Sequence, residues 1–151
     1  YITGRIETIF LNGLPVDDLT TPIKGSHPVL ALSAAMPGLA GAIFRKNSFH
    51  VHLRTTAEAS VTPVEKCSGI QQIRLKLFNF VSRERGGDLL REGCILQAEC
   101  VRKFIATRQD LLDGIITIRC AGSEIKPSHL ADTLEHADMI KLKIRENNDR
   151  T

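Results

Sequence analysis

The dipeptide Asn12-Gly13 constrains this chain more tightly than any other feature. It follows "RIETIFL" (5–11), whose alternation reads as a strand. A two-residue Asn-Gly loop supplies the two positive-φ positions that a tight hairpin needs. The return strand "LPV" (14–16) is short, and Pro15 lacks the N–H that a central strand would donate, so it belongs at a sheet edge. "DDLTTPIKG" (17–25) reads as a turn or single helical turn capped by Asp17 or Asp18. "VLALS" (29–33) is apolar throughout, as in a strand covered on both faces. A second hairpin is expected over "GAIFRKNSFHVHLRTT" (41–56).

Beyond that point the pattern changes. "TTAEASVTPVEKCSG" (55–69) has no clean period and contains Pro63, which marks a linker. "IRLKLF" (73–78) alternates as a strand. "NFVSRERGGDLLREG" (79–93) is helix-like, with Gly86-Gly87 expected to bend or split it. In "QAECVRKFIATRQDLL" (97–112), Ala98, Val101, Phe104 and Ile105 recur at helical spacing. "GIITIRC" (114–120) reads as a strand and Ala121-Gly122 as a turn. Ser128 is the expected cap of a helix through His136, and "MIKLKIR" (139–145) closes the domain as a strand, followed by the polar tail "ENNDRT".

These elements predict an α+β fold, with a mixed or largely antiparallel sheet and about three helices. Residues 1–151 are expected as a single domain, or as two lobes, 1–56 and 70–146, joined by 57–69. "IETIFLNG" (6–13) and "IITIRCAG" (115–122) share Ile, Thr, Ile and Gly at matching offsets, and each is followed by a polar turn or helix and an apolar strand. Internal duplication of a β-turn-helix-β unit would account for this, and so would chance similarity between two hairpin-bearing strands.

Composition bounds the function classes. The chain is 42% hydrophobic and 25% charged, which excludes disordered and collagen-like classes. Twenty basic against seventeen acidic residues leave a net charge of +3, too small to demand a nucleic-acid or membrane partner. The longest apolar run, 29–44, is broken by Pro37, Gly38 and Gly41, so no membrane association is expected. "YITGRIETIF" lacks a basic leader followed by an apolar stretch. The four cysteines, 67, 94, 100 and 120, form no C-x-x-C pair and read as reduced thiols of a cytoplasmic protein.

Three sites are candidates. In "RKNSFHVHLRTT" (45–56), strand alternation places Ser48, His50, His52 and Arg54 on one face, with Phe49, Val51 and Leu53 packing inward on the other. His50 and His52 have the spacing of a metal-binding pair. Arg45 and Arg54 flank them, however, and the nearest acid in sequence is Glu58. The four residues Arg45, His50, His52 and Arg54 therefore suit a small anion better than a cation, and no metal is expected. The second candidate is "SAAMPGLAG" (33–41), a small-residue loop after a buried strand. It lacks the Lys-Ser/Thr ending of a phosphate loop and is expected to run into a strand, which leaves a ligand-lining or partner-contact role. The stretch "LNGLPVDDLTTPIKG…LALSAAMPGLAG" resembles sulfur-carrier proteins of the ubiquitin-like β-grasp family over less than a third of the chain. Those carriers end in an exposed Gly-Gly, whereas this chain runs on, so the resemblance implies no function here. The third candidate is distributed. If "IRLKL", "ITIR" and "IKLKIR" share a sheet, then Arg74, Lys76, Arg119, Lys141, Lys143 and Arg145 form a basic face for nucleic acid or an anionic partner.

Catalytic motifs are absent: the sequence has no G-x-S-x-G, no H-E-x-x-H and no phosphate-loop signature. Ser128 and His129 adjoin at a helix start, a poor arrangement for a nucleophile and its base. Cys100 is expected to be buried, and Cys94 is the better-placed thiol. The reading is a non-enzymatic binding or assembly module without a cofactor. A protein partner or self-association comes first, a small anion second and nucleic acid third.

Overall fold

The computed structural model describes residues 1–54, 70–115 and 117–146. Backbone contacts divide the chain into two compact units, Tyr1–Gly87 and Asp88–Thr151. The expected junction 57–69 lies outside the described residues. The unit boundary falls inside a helix, Asn79–Glu92, and places the strand at Arg74–Phe78 in the first unit.

In the first unit, a single helical turn α1 (Ile2–Arg5) leads into β1 (Thr8–Leu11), so the first strand starts three residues later than its alternation suggests. Asn12 and Gly13 adopt φ of 51° and 83°, and β2 (Leu14–Pro15) returns antiparallel with Leu11 opposite Leu14. The Asn12 side chain adds a second function: its Oδ1 accepts the Val29 N–H at 2.8 Å, tying the turn to the start of β3 (Val29–Ser33). β3 pairs antiparallel with β1 and parallel with β4 (Arg74–Phe78), giving a mixed four-stranded sheet in the order β2-β1-β3-β4. Pro15 is on an edge strand, where its missing N–H costs nothing.

Register assigns the two faces. Ile9, Leu32 and Leu77 lie across one face, where Ile6, Ile9, Leu32 and Val81 form the buried core. Val81, 1% exposed, comes from α3 (Asn79–Glu92), so this helix covers that face. The helix runs unbroken through Gly86-Gly87, contrary to the expected bend. Glycine costs only about 1 kcal/mol per residue in a helix and can adopt helical angles, and Val81's burial anchors the first turn. Gly93, at φ 108°, ends the helix in the left-handed conformation, with its N–H on the Leu89 carbonyl at 2.9 Å.

The opposite face carries Phe10, Ala31 and Lys76 in one row. Over it lies α2 (Gly38–Phe44), with the Phe44 ring 5.3 Å from that of Phe10. This helix replaces the first arm of the expected second hairpin. The second arm is a 3-10 turn at Val51–Leu53. The small residues of "GLAGAIF" permit a close helical approach that bulkier ones would block: a Cβ on Gly41 would stand 1.7 Å from the Met36 carbonyl oxygen.

In the second unit, β5 (Cys94–Gln97) pairs antiparallel with β8 (Met139–Leu142), and α4 (Ala98–Thr107) packs on β5. A 3-10 segment, Gln109–Gly114, follows α4. β6 (Ile118–Cys120) and β7 (Ser123–Ile125) form a separate hairpin whose turn residues, Ala121 and Gly122, adopt φ of 49° and 87°. This backbone closely repeats that of Asn12-Gly13. The similarity noted in sequence ends there, because β3 pairs with β1 whereas β8 pairs with β5. Ser128 caps no helix: it sits inside a 3-10 turn, Pro127–His129, followed by a single α-turn, α5 (Leu130–Thr133). The fold is α+β with a mixed sheet, as expected, but the described residues hold five α-helical segments and three 3-10 segments, where about three helices were expected. Short helical turns of one to two turns account for the difference, since they carry no apolar period to read.

Candidate functional site

The loss of the second hairpin rearranges the first candidate. Phe49 is 87% exposed, and Val51 and Leu53 are exposed as well, so no inward-packing apolar strand face exists here. Asn47, at φ 54°, turns the chain after α2. The Ser48 hydroxyl donates to the Ala42 carbonyl and accepts the His50 N–H at 2.9 Å, holding the segment in a compact turn. The His50 and His52 rings lie 6.3 Å apart, centroid to centroid, at 50° to one another.

Both arginines of this segment face carboxylates. Arg45 Nη2 donates to Glu7 Oε1 at 2.7 Å. Arg54, its side chain 6% exposed, donates through Nη1 to Asp17 Oδ2 at 2.5 Å and through Nη2 to Asp17 Oδ1 at 3.2 Å. Two further N–H groups reach main-chain carbonyls: Nε reaches Ile43 at 2.9 Å and Nη2 reaches Arg45 at 2.7 Å. Partial burial pushes the Asp17 carboxyl up. The Arg54 hydrogen bond, the Asn47 N–H at 3.0 Å and the Arg54 charge outweigh it, and the net effect holds Asp17 below the usual carboxylate range. Asp18, by contrast, makes a local turn, accepting from the Thr20 N–H and hydroxyl at 2.8 and 2.6 Å. Arg54 thus locks the α2 region to the segment after β2. Among the described residues, no group of three or more His, Cys, Asp or Glu side chains is arranged to hold a metal ion.

The six basic residues of the third candidate do not share a sheet. Arg74 and Lys76 are on β4, Arg119 is on β6, and Lys141 is on β8, three strands in three different sheets. Lys143 and Arg145 follow the end of β8. The common basic face required one sheet, and strand pairing, which local alternation does not specify, distributes these residues otherwise. Cys100 is exposed, with its thiol 3.4 Å from Gln97 Oε1, rather than buried, because the inward stripe of α4 runs through Ala98, Val101 and Ile105. Cys94 is half-buried and donates to the Leu89 carbonyl. No helix among the described residues is long and apolar enough to cross a membrane.

The second candidate is where the first unit opens. The loop after β3 leads into α2, a helix where a strand was expected, and its Met36 and Pro37 form one wall of a cleft of about 310 Å³. The floor is the α2-facing side of the sheet: Phe10 from β1, Val29, Ala31 and Ser33 from β3, and Lys76 and Phe78 from β4. Gly13 of the first turn and Asn79, at φ 50° where β4 passes into α3, also line it. From Val29 to Ser33 the floor spans roughly 13 Å. One end lies at the carboxyl ends of the parallel pair β3–β4, where a helix follows each strand, α2 after β3 and α3 after β4. In open sheets, such divergence leaves a crevice.

Sequence reading named Ser33 and the loop 33–41 as ligand-lining candidates. It missed Phe10 and Asn79, and it placed Lys76 in a different role. No local signal points to these residues as a group, because only the β3–β4 register brings them together. No family model matches the chain, and no curated protein or solved structure shows significant similarity to it.

Proposed function

We propose that this chain is a non-enzymatic binding module whose first unit takes a small, largely apolar ligand in the cleft between the sheet and the β3–α2 loop. The observation that carries this reading is the cleft itself: about 310 Å³, floored by Phe10, Val29, Ala31 and Phe78, with few polar groups. That volume lies at the small end of the range of roughly 300–1,000 Å³ typical of ligand sites. A predominantly apolar lining with a few fixed polar groups is also their usual chemistry. Among the described residues, Cys94, Cys100 and Cys120 are free thiols, in keeping with a reducing, cytoplasmic setting.

The test is protein-observed NMR with a panel of small aromatic fragments. Shift changes are expected at Phe10, Ala31, Met36 and Phe78. They are expected to disappear in Ala31→Trp, which fills the floor, while the amide spectrum elsewhere stays dispersed. If no fragment perturbs these residues, the cleft is not a binding site.

A further inference from the structure

Resting on that reading, we infer that the cleft selects a ligand with an anionic end, a carboxylate on a short apolar body, and that Lys76 receives the charge. Among the described residues, Lys76 is the one charged residue in the lining, and no aspartate or glutamate lines the cleft with it. Its ammonium has no hydrogen-bond or ion-pair partner among the described residues, in contrast to Arg45 and Arg54, which are bound to Glu7 and Asp17. Register fixes its place. Lys76 stands beside Ala31, which stands beside Phe10, so the cation is continuous with the apolar floor.

A cation next to an apolar surface is matched by a ligand of the same polarity pattern. An uncharged apolar molecule would fill the floor but leave the ammonium to water, and a small inorganic anion would reach the ammonium but leave the floor uncovered. Three residues along the chain, Asn79 belongs to the same lining and carries an amide. An amide can donate to a carboxylate oxygen, so Lys76 and Asn79 together suit a planar acid group better than a point anion.

The experiment compares naphthalene-2-carboxylate with naphthalene-2-carboxamide, which have nearly the same shape and differ in charge. Dissociation constants are read by NMR titration of the wild type, Lys76→Gln and Arg74→Gln. Arg74 is on the same strand but outside the lining and serves as the control for general surface charge. Circular dichroism checks that each variant is folded. The acid is expected to bind the wild type about tenfold more tightly than the amide. Lys76→Gln is expected to abolish that preference without weakening the amide, and Arg74→Gln to preserve it. Equal binding of acid and amide in the cleft would overturn the charge assignment and leave the binding-module reading standing. Equal loss of the preference in both variants would reduce Lys76 to general surface charge and also overturn the assignment. Failure of both probes to perturb the cleft would overturn the two together.

Discussion

Arg54 grips Asp17 with two guanidinium nitrogens across 37 residues of sequence, and its side chain is all but removed from solvent. The contact closes the path from β2 through α2 to the turn at Val51–Leu53. Truncating one member of a buried pair leaves the other charge without its partner. Arg54→Ala is expected to lower unfolding free energy by about 2–3 kcal/mol, below the fully buried range because Asp17 keeps some exposure. Asp17→Asn, which can still accept one hydrogen bond, is expected to cost about half as much. Urea denaturation followed by circular dichroism measures both, and two neutral variants would show the pair to be ornamental.

The same pair carries a pH signature. Asp17 has a lower pKa folded than unfolded, so its contribution is fully present above the unfolded value of about 3.9 and is lost as pH falls through the folded value. The stability difference between wild type and Asp17→Asn should therefore be constant from pH 7 down to about 5 and shrink below about 4. A gap that stays constant down to pH 2 would contradict this.

Glycines 41 and 86 should respond in opposite directions to alanine. At Gly41 the new methyl meets the Met36 backbone at 1.7 and 2.7 Å, so α2 must move off its loop. A loss of about 1–3 kcal/mol is expected, with disturbed cleft resonances. At Gly86, inside α3, nothing lies within 4 Å, and alanine should stabilise by roughly 0.5–1 kcal/mol. Thermal unfolding of the two variants distinguishes them in one experiment.

Ala121 holds a conformation better suited to the residue at its counterpart, Asn12. Ala121→Asn is expected to add about 0.5–1 kcal/mol, because asparagine tolerates positive φ at lower cost. Asn12→Ala should cost more than this, about 1–2 kcal/mol, since it also removes the hydrogen bond to Val29. Differential scanning calorimetry gives both signs.

Thr8 is buried beside Ser33, and its hydroxyl oxygen has no hydrogen-bond partner among the described residues. Thr8→Val keeps the shape and removes the unpaired group, so stability should rise by about 1 kcal/mol. A loss on chemical denaturation would instead point to a water held by that hydroxyl.

By itself, the sequence determined the local geometry. Asn12-Gly13 and Ala121-Gly122 make the tight turns expected of them, "VLALS" is a strand over its full expected length, and α4 is a helix with Ala98, Val101 and Ile105 inward, although Phe104 of the same spacing is exposed. Each depends on dihedral preferences or side-chain periods contained within a few residues. Tertiary structure decided the rest. "GAIFRKNSFHVHLR" has a strand-like alternation, yet its first half is a helix whose Phe44 packs on Phe10 and whose Gly41 leaves room for the Met36 backbone. Lys76 reads from sequence as one of a row of surface cations, and only the parallel register of β4 against β3 sets it beside Ala31 at the edge of an apolar cleft. Which strand pairs with which, and in what register, is settled by packing between residues tens of positions apart, and the periodicity of a single strand carries no record of its neighbour.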